Sequence, residues 1–181
     1  DPECAGERAR AHADARAAAV RARAGQRHLR ARRRALARRA AVDSRARGLI
    51  ERGFSYIGTP YVWGGEGESG FDCSGFTQFL FAGTGYALPR QARNQFKVGD
   101  EIAADDLLPG DLVFFSTYSS GASHVGIYIG DGQFLHASSG PDQVTVSSLA
   151  QRYYTNRYLG ARRVFSQDPR TIEEMTALVN R

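Results

Sequence analysis

With 181 residues and 42% apolar side chains, the chain has the length and composition of one domain carrying an appendage, not of two full domains. No run approaches the roughly 18 to 20 consecutive apolar residues of a membrane-spanning helix, and two cysteines, Cys4 and Cys73, are too few for a disulfide-stapled scaffold or a zinc finger of paired cysteines. The formal charge of +5 hides a split: residues 1–47 balance at +9, with fourteen Arg against five acids, and residues 48–181 at −4.

The chain opens at Asp1 without an initiator Met or a charged-then-apolar leader, which is expected of a processed or trimmed product. From Glu7 to Arg47 it is Ala and Arg interrupted by Gly25, a composition that predicts helix. Val20, Leu29, Leu36 and Val42 are its only large aliphatics, too sparse for a heptad seam. Residues 1–47 are therefore read as an Arg/Ala-rich helical arm, and residues 48–181 as the functional domain, with the junction near 47–50.

Within the domain, Gly58-Thr59-Pro60 and Gly64-Gly65-Glu66-Gly67 mark loops around Tyr61-Val62-Trp63. Asp72 reads as the N-cap of a helix over about Cys73 to Ala82, stopped by Gly83 or Gly85. Leu112 to Phe115 is a predicted strand, and Val125 to Ile129 and Phe134 to Ala137 form a predicted hairpin. Val144 to Val146 and Gly160 to Phe165 add strands, and Thr171 to Asn180 a terminal helix. A helix followed by antiparallel strands predicts an α+β fold.

A free cysteine is by default a small buried hydrophobe. Cys73 differs in its place, because a thiol in the first turn of a helix meets unsatisfied N–H groups and the positive end of the macrodipole, which favour thiolate. Gly75 beside it leaves room for another backbone, such as a substrate strand. Of the four histidines, His12 and His28 belong to the arm, leaving His124 and His136 as partners for the thiol. A two-residue Asp131-Gly132 turn would put these two on opposite faces of the hairpin. A three-residue Gly130-Asp131-Gly132 loop, with Gly132 left-handed, would pair Gly126 with His136 and set His124 diagonally from it on the same face, and this second register is expected. One imidazole can then take the thiol proton while the other fixes its tautomer.

Tyr61-Val62-Trp63-Gly64-Gly65, Phe71-Asp72-Cys73-Ser74-Gly75-Phe76, Leu88-Pro89-Arg90, Pro109-Gly110-Asp111-Leu112-Val113-Phe114-Phe115, Ser123-His124-Val125-Gly126-Ile127-Tyr128 and Phe134-Leu135-His136-Ala137 together resemble, in order, the signatures of the NlpC-type cell-wall cysteine peptidases. The resemblance spans about residues 49–165. It implies a papain-like fold, with the nucleophile's helix packed on an antiparallel sheet, and hydrolysis of the D-γ-glutamyl to diamino-acid bond in peptidoglycan stem peptides. It further implies Cys73 as nucleophile, His124 as base and His136 as the residue orienting it. Tyr61, with the Cys73 N–H, would serve the oxyanion, and Asp72 and Ser74 would line the subsite for the substrate's amino end. No cofactor or metal is implied, and the setting would be secreted, periplasmic or wall-associated. Ala92 stands where the family usually carries Ser or Thr, and nothing in residues 1–47 could form the small β-barrel targeting module that members often carry.

Other readings share some of these residues. An amidase or acyltransferase could use the same Cys–His pair on another amide. A nucleic-acid-binding protein could use the arm's arginines on phosphates, but no nucleic acid is expected, because residues 48–181 are net acidic and the arm lacks aromatics for stacking. A metal held by Cys73, His124 and His136 lacks a fourth ligand at recognisable spacing. The arm's +9 balance suits anionic wall polymers or the acidic domain itself.

Overall fold

The computed structural model of the protein describes residues 43–180 and, upstream of them, Gln26. Contacts divide the chain into Asp1–Ala41 and Val42–Arg181. Apart from Gln26, which is helical, the predicted arm as far as residue 42 lies outside the described residues, as does Cys4.

Helix α1 occupies residues 43–54. Ala46, Leu49, Ile50 and Gly53 recur at helical spacing and turn inward, Ala46 and Leu49 as core members. Arg45 Nη1 donates to the Tyr86 hydroxyl at 2.8 Å, and the Arg52 guanidinium lies 4.5 Å from the centre of the Phe79 ring. The composition change at 47–50 thus falls within one continuous helix, whose exposed side carries Gly48.

A two-stranded ribbon follows, β1 (Glu66–Gly67) and β2 (Gly70–Phe71), then α2 (Cys73–Ala82) and α3 (Ala92–Gln95). The sheet comprises β3 (Asp100–Ile102), β4 (Leu112–Phe115), β5 (His124–Gly130), β6 (Gln133–Ser138), β7 (Gln143–Ser148) and β8 (Tyr158–Arg163). Its order is β3-β8-β4-β5-β6-β7 and every pairing is antiparallel. Helix α4 (Arg152–Thr155) precedes β8, and α5 (Pro169–Val179) closes the chain. This is the α+β arrangement expected. The ribbon, β3, α3 and α4 went unread because two to four residues carry too little periodicity to register.

Alternation along the strands builds two cores. Leu112, Phe114, Val125, Ile127, Leu135 and Ala137 face α2 and pack with Phe76, Leu80 and Phe81. Val113, Phe115, Phe134 and Ala161 point the other way and meet Tyr154 of α4. Asp111, almost fully buried, is held by the Arg163 fork at 2.8 and 2.7 Å, which pins the start of β4 to β8.

Candidate active site

The hairpin β5–β6 sets the histidines. Asp131 and Gly132 both adopt positive φ, 50° and 70°, so the turn is a two-residue one closed by Gly130 opposite Gln133. A bulge between Tyr128 and Gly130 then absorbs one residue, and beyond it Tyr128 pairs with Phe134 and Ile127 with Leu135. The expected register is therefore reached through a short turn and a bulge. One step further Gly126 lies against His136, where an added Cβ would meet the His136 Cβ at 3.1 Å and the Phe134 ring at 2.6 Å. His124 and His136 share a face, with His124 Nε2 2.8 Å from His136 Nδ1. His136 Nε2 is in turn 3.0 Å from the Ser147 hydroxyl on β7. Tyr154 packs against both rings.

Cys73 begins α2. Asp72 is the N-cap, in extended conformation, its Oδ1 accepting from the Gly75 amide at 2.7 Å. The thiol is a free one. Its sulfur lies 3.8 Å from the Ser123 carbonyl and takes a hydrogen bond from the Val125 amide, the residues on either side of His124. The β5–β6 ladder runs from the turn to Ile127 and Leu135, so the helix N-terminus meets β5 at the hairpin's open end. Since Nε2 of His124 is taken by His136, Nδ1 is its remaining ring nitrogen.

Charge states follow from burial. Burial first, and the Asp72 carboxylate second, push the Cys73 thiol up to about 11, against the lowering effect of the Val125, Ser74 and Cys73 amides. Burial lowers His124 to about 4, and burial with the neighbouring His124 holds His136 well below its ordinary value. The amides at the helix N-terminus lower the Cys73 thiol in the expected direction, but desolvation and the Asp72 charge outweigh them and the net direction is upward. Gly75 also serves a different purpose from the one expected: the backbone that crowds it is the chain's own Gly65 carbonyl.

A match to the NlpC/P60 family covers residues 58–163. The chain belongs to the NlpC/P60 family. It is 44% identical over 132 residues to the gamma-DL-glutamyl hydrolase of Bacillus subtilis strain 168, covering 70% of this chain and 32% of that protein. It is 38% identical over 125 residues to the gamma-D-glutamyl-L-lysine dipeptidyl-peptidase of the same organism, covering 67% and 42%. The chain thus spans less than half the length of these relatives. Among solved structures, it superposes on an NlpC/P60 family protein from Bacillus cereus ATCC 10987 with TM-score 0.63 and 37% identity, covering 66% of this chain and 40% of that one. The NlpC/P60 domain of the peptidoglycan hydrolase SagA gives TM-score 0.58 and 34% identity, covering 65% and 97%. The fold is the papain-like α+β fold of this family.

Tyr61 lines the same hollow as Cys73 in this NlpC/P60 domain because its segment is pinned on two sides. The Tyr61 amide donates to the Asp142 carbonyl at 3.0 Å, and Tyr61 bridges Phe71, two residues before Cys73. Burial, then Cys73 and Asp72, push its phenol up to about 12, so it remains a hydrogen-bond donor at neutral pH. Tyr61 and Tyr118 border two adjoining hollows. One, of about 530 Å³, holds Cys73, Asp72, Ser74, Glu66, Arg90 and Trp63; the other, of about 490 Å³, holds His124, Ser138, Ser147, Gln151 and Tyr153.

Arg90, to which sequence reasoning gave no separate role, grips both Asp72 oxygens at 3.0 and 2.6 Å, bonds the Ser74 hydroxyl at 3.0 Å and pairs with Glu66. The Gly64 amide also donates to Asp72 at 3.1 Å. Asp72 is therefore helix cap and wall of the first hollow together. Trp63 and Tyr118, both exposed, meet edge to face with ring centres 5.3 Å apart, and both line that hollow. Tyr118 and Ser147 gave no sequence signal, since each sits in a polar stretch without a partner fixed by spacing. Among the described residues, no group of three or more His, Cys, Asp or Glu could hold a metal ion, and no helix is long and apolar enough to cross a membrane.

Proposed function

We propose that the chain is a peptidoglycan endopeptidase that hydrolyses the D-γ-glutamyl to diamino-acid bond of stem peptides through Cys73, His124 and His136. The observation that carries this reading is the sulfur lodged between Ser123 and Val125, with His124 between them held at its far nitrogen by His136. The relatives' names, a gamma-DL-glutamyl hydrolase and a gamma-D-glutamyl-L-lysine dipeptidyl-peptidase, supply the bond class.

With thiol and imidazole both neutral at rest, the proton passes to His124 Nδ1 as the sulfur attacks the γ-carbonyl carbon. The developing oxyanion meets the Tyr61 hydroxyl and the Cys73 amide, donors already fixed in place. His124 then gives its proton to the leaving amine, a thioester remains on Cys73, and a water activated by His124 releases the acid. The first hollow, where Asp72 and Ser74 are arranged by Arg90, takes the acyl side with the substrate's amino end; the second takes the leaving amine. The protein acts outside the membrane, at the wall. The +9 balance of residues 1–47 suits binding to anionic wall polymers.

Digestion of purified peptidoglycan, followed by mass analysis of the fragments, tests this. The native protein yields fragments cut between D-glutamate and the diamino acid, and Cys73→Ala yields none. Cleavage at another amide, or fragments from Cys73→Ala, would replace the reading.

A further inference from the structure

We propose that Ser147 is a positioning residue of this reaction, setting through His136 which nitrogen of His124 carries the proton. The inference rests on the Cys73–His124 reading above and concerns a residue two hydrogen bonds away from the sulfur's partner. On β7, Ser147 pairs with Phe134 and Thr145 with His136. Ser147 therefore lies diagonally from His136 on one side, as His124 does on the other, and the three polar groups cross three adjacent strands on one face of the sheet.

Each neutral imidazole has one donor and one acceptor nitrogen. For His124 Nδ1 to accept the thiol proton, His124 Nε2 must carry the hydrogen and donate across the 2.8 Å contact to His136 Nδ1. His136 then carries its hydrogen on Nε2, and that N–H needs an acceptor. His136 is fully buried, and the group 3.0 Å from its Nε2 is the Ser147 hydroxyl. If Ser147 donated instead, both imidazoles would switch tautomers and His124 would present an N–H to the thiol, unable to take a proton. The direction of one hydroxyl thus selects between a competent and an incompetent pair. Ser147 is half-buried and lines the second hollow beside His124. A hydrogen-bond acceptor there, solvent or a carbonyl on the leaving side of the substrate, takes the Ser147 O–H and turns its lone pairs towards His136. When His124 becomes an imidazolium during the reaction, Ser147 must accept.

The test compares Ser147→Thr with Ser147→Val, a pair of the same shape differing in the hydroxyl and suited to a strand. Ser147→Ala is the third variant. Side-chain nitrogen NMR of labelled histidine in the ligand-free full chain should show His124 protonated at Nε2 in the native protein and in Ser147→Thr, with mixed or reversed tautomers in Ser147→Val and Ser147→Ala. On a soluble stem peptide, kcat should fall roughly tenfold to a hundredfold in Ser147→Val with KM little changed, and Ser147→Thr should restore most of it. An unchanged His124 tautomer with an unchanged kcat in Ser147→Val would overturn the proposal. So would a rise in KM alone, which would make Ser147 a subsite contact, or equal losses in Ser147→Thr and Ser147→Val. If Ser147→Ala does not fold, the Thr–Val comparison decides. A native protein inactive on the peptide would sink the functional reading, while the tautomers would still decide this one.

Discussion

A thiol pushed up to about 11 and an imidazole lowered to about 4 are both neutral across the physiological range. In the proposed reaction such a thiol is quiet until a substrate carbonyl draws the proton across. Alkylation of Cys73 by iodoacetamide in the ligand-free full chain should therefore be slow at pH 7 and climb steadily towards pH 11; a rate already at a plateau by pH 5 would show a resting thiolate–imidazolium pair instead. The same burial affects stability. His124 titrates near 4 in the fold against an ordinary 6.5, so between those values the unfolded chain binds more protons and stability rises with pH. Acidification from about 6.5 to 4 should cost on the order of 3 kcal/mol through His124, with His136 adding in the same direction. Urea midpoints across that range in native protein and His124→Gln would check it, the variant losing less on acidification.

At the level of elements, the hairpin β5–β6 sets the His124–His136 geometry. Its bulge settles the face on which His136 points, because a one-residue slip would turn every side chain over. Gly126 is what lets the two strands keep this geometry beside the Phe134 ring and His136. Gly126→Ala should destabilise the domain by about 1 to 3 kcal/mol through overpacking, and should lower kcat by more than that loss of stability explains, since the His124–His136 contact opens. Urea unfolding read together with peptide turnover checks both parts. Full turnover in a folded Gly126→Ala protein would mean that the register tolerates the methyl. Helix α2 makes the complementary demand: its capped N-terminus can approach the loop before β1 because Gly75 lies under the Gly65 carbonyl.

At the scale of the whole molecule, α1 belongs with the core: Ala46 and Leu49 are buried and Arg45 bonds Tyr86. A protein starting at Val42 should fold and cleave soluble stem peptides at the full-chain rate, whereas one starting at Gly48 should melt at a lower temperature for want of the first turns of α1. Equal melting temperatures would show that these turns contribute nothing. If the arm contacts the wall, the full chain's binding to intact walls should fall as salt rises, through screening of its arginines, and the Val42 protein should show a weaker dependence. The same salt dependence in both would argue for an inert spacer.

The α2 helix, the central strands, the hairpin and the shared face of His124 and His136 were legible in the amino-acid sequence because their signals are local: an Asp cap, alternating apolar residues and Gly-rich turns. Two properties depended on the assembled fold. The ionisation of Cys73 could not be read from its place on a helix, since desolvation by the surrounding core and the Asp72 charge outweigh the local dipole. The partners Arg90 and Ser147 were equally hidden, because Arg90 reaches Asp72 across eighteen positions and Ser147 reaches His136 across eleven. Neither pair lies on a single helix or strand whose period would have shown it. Such contacts exist only once the sheet order and the loop paths have brought distant segments together, and that is decided by burial summed over the whole chain.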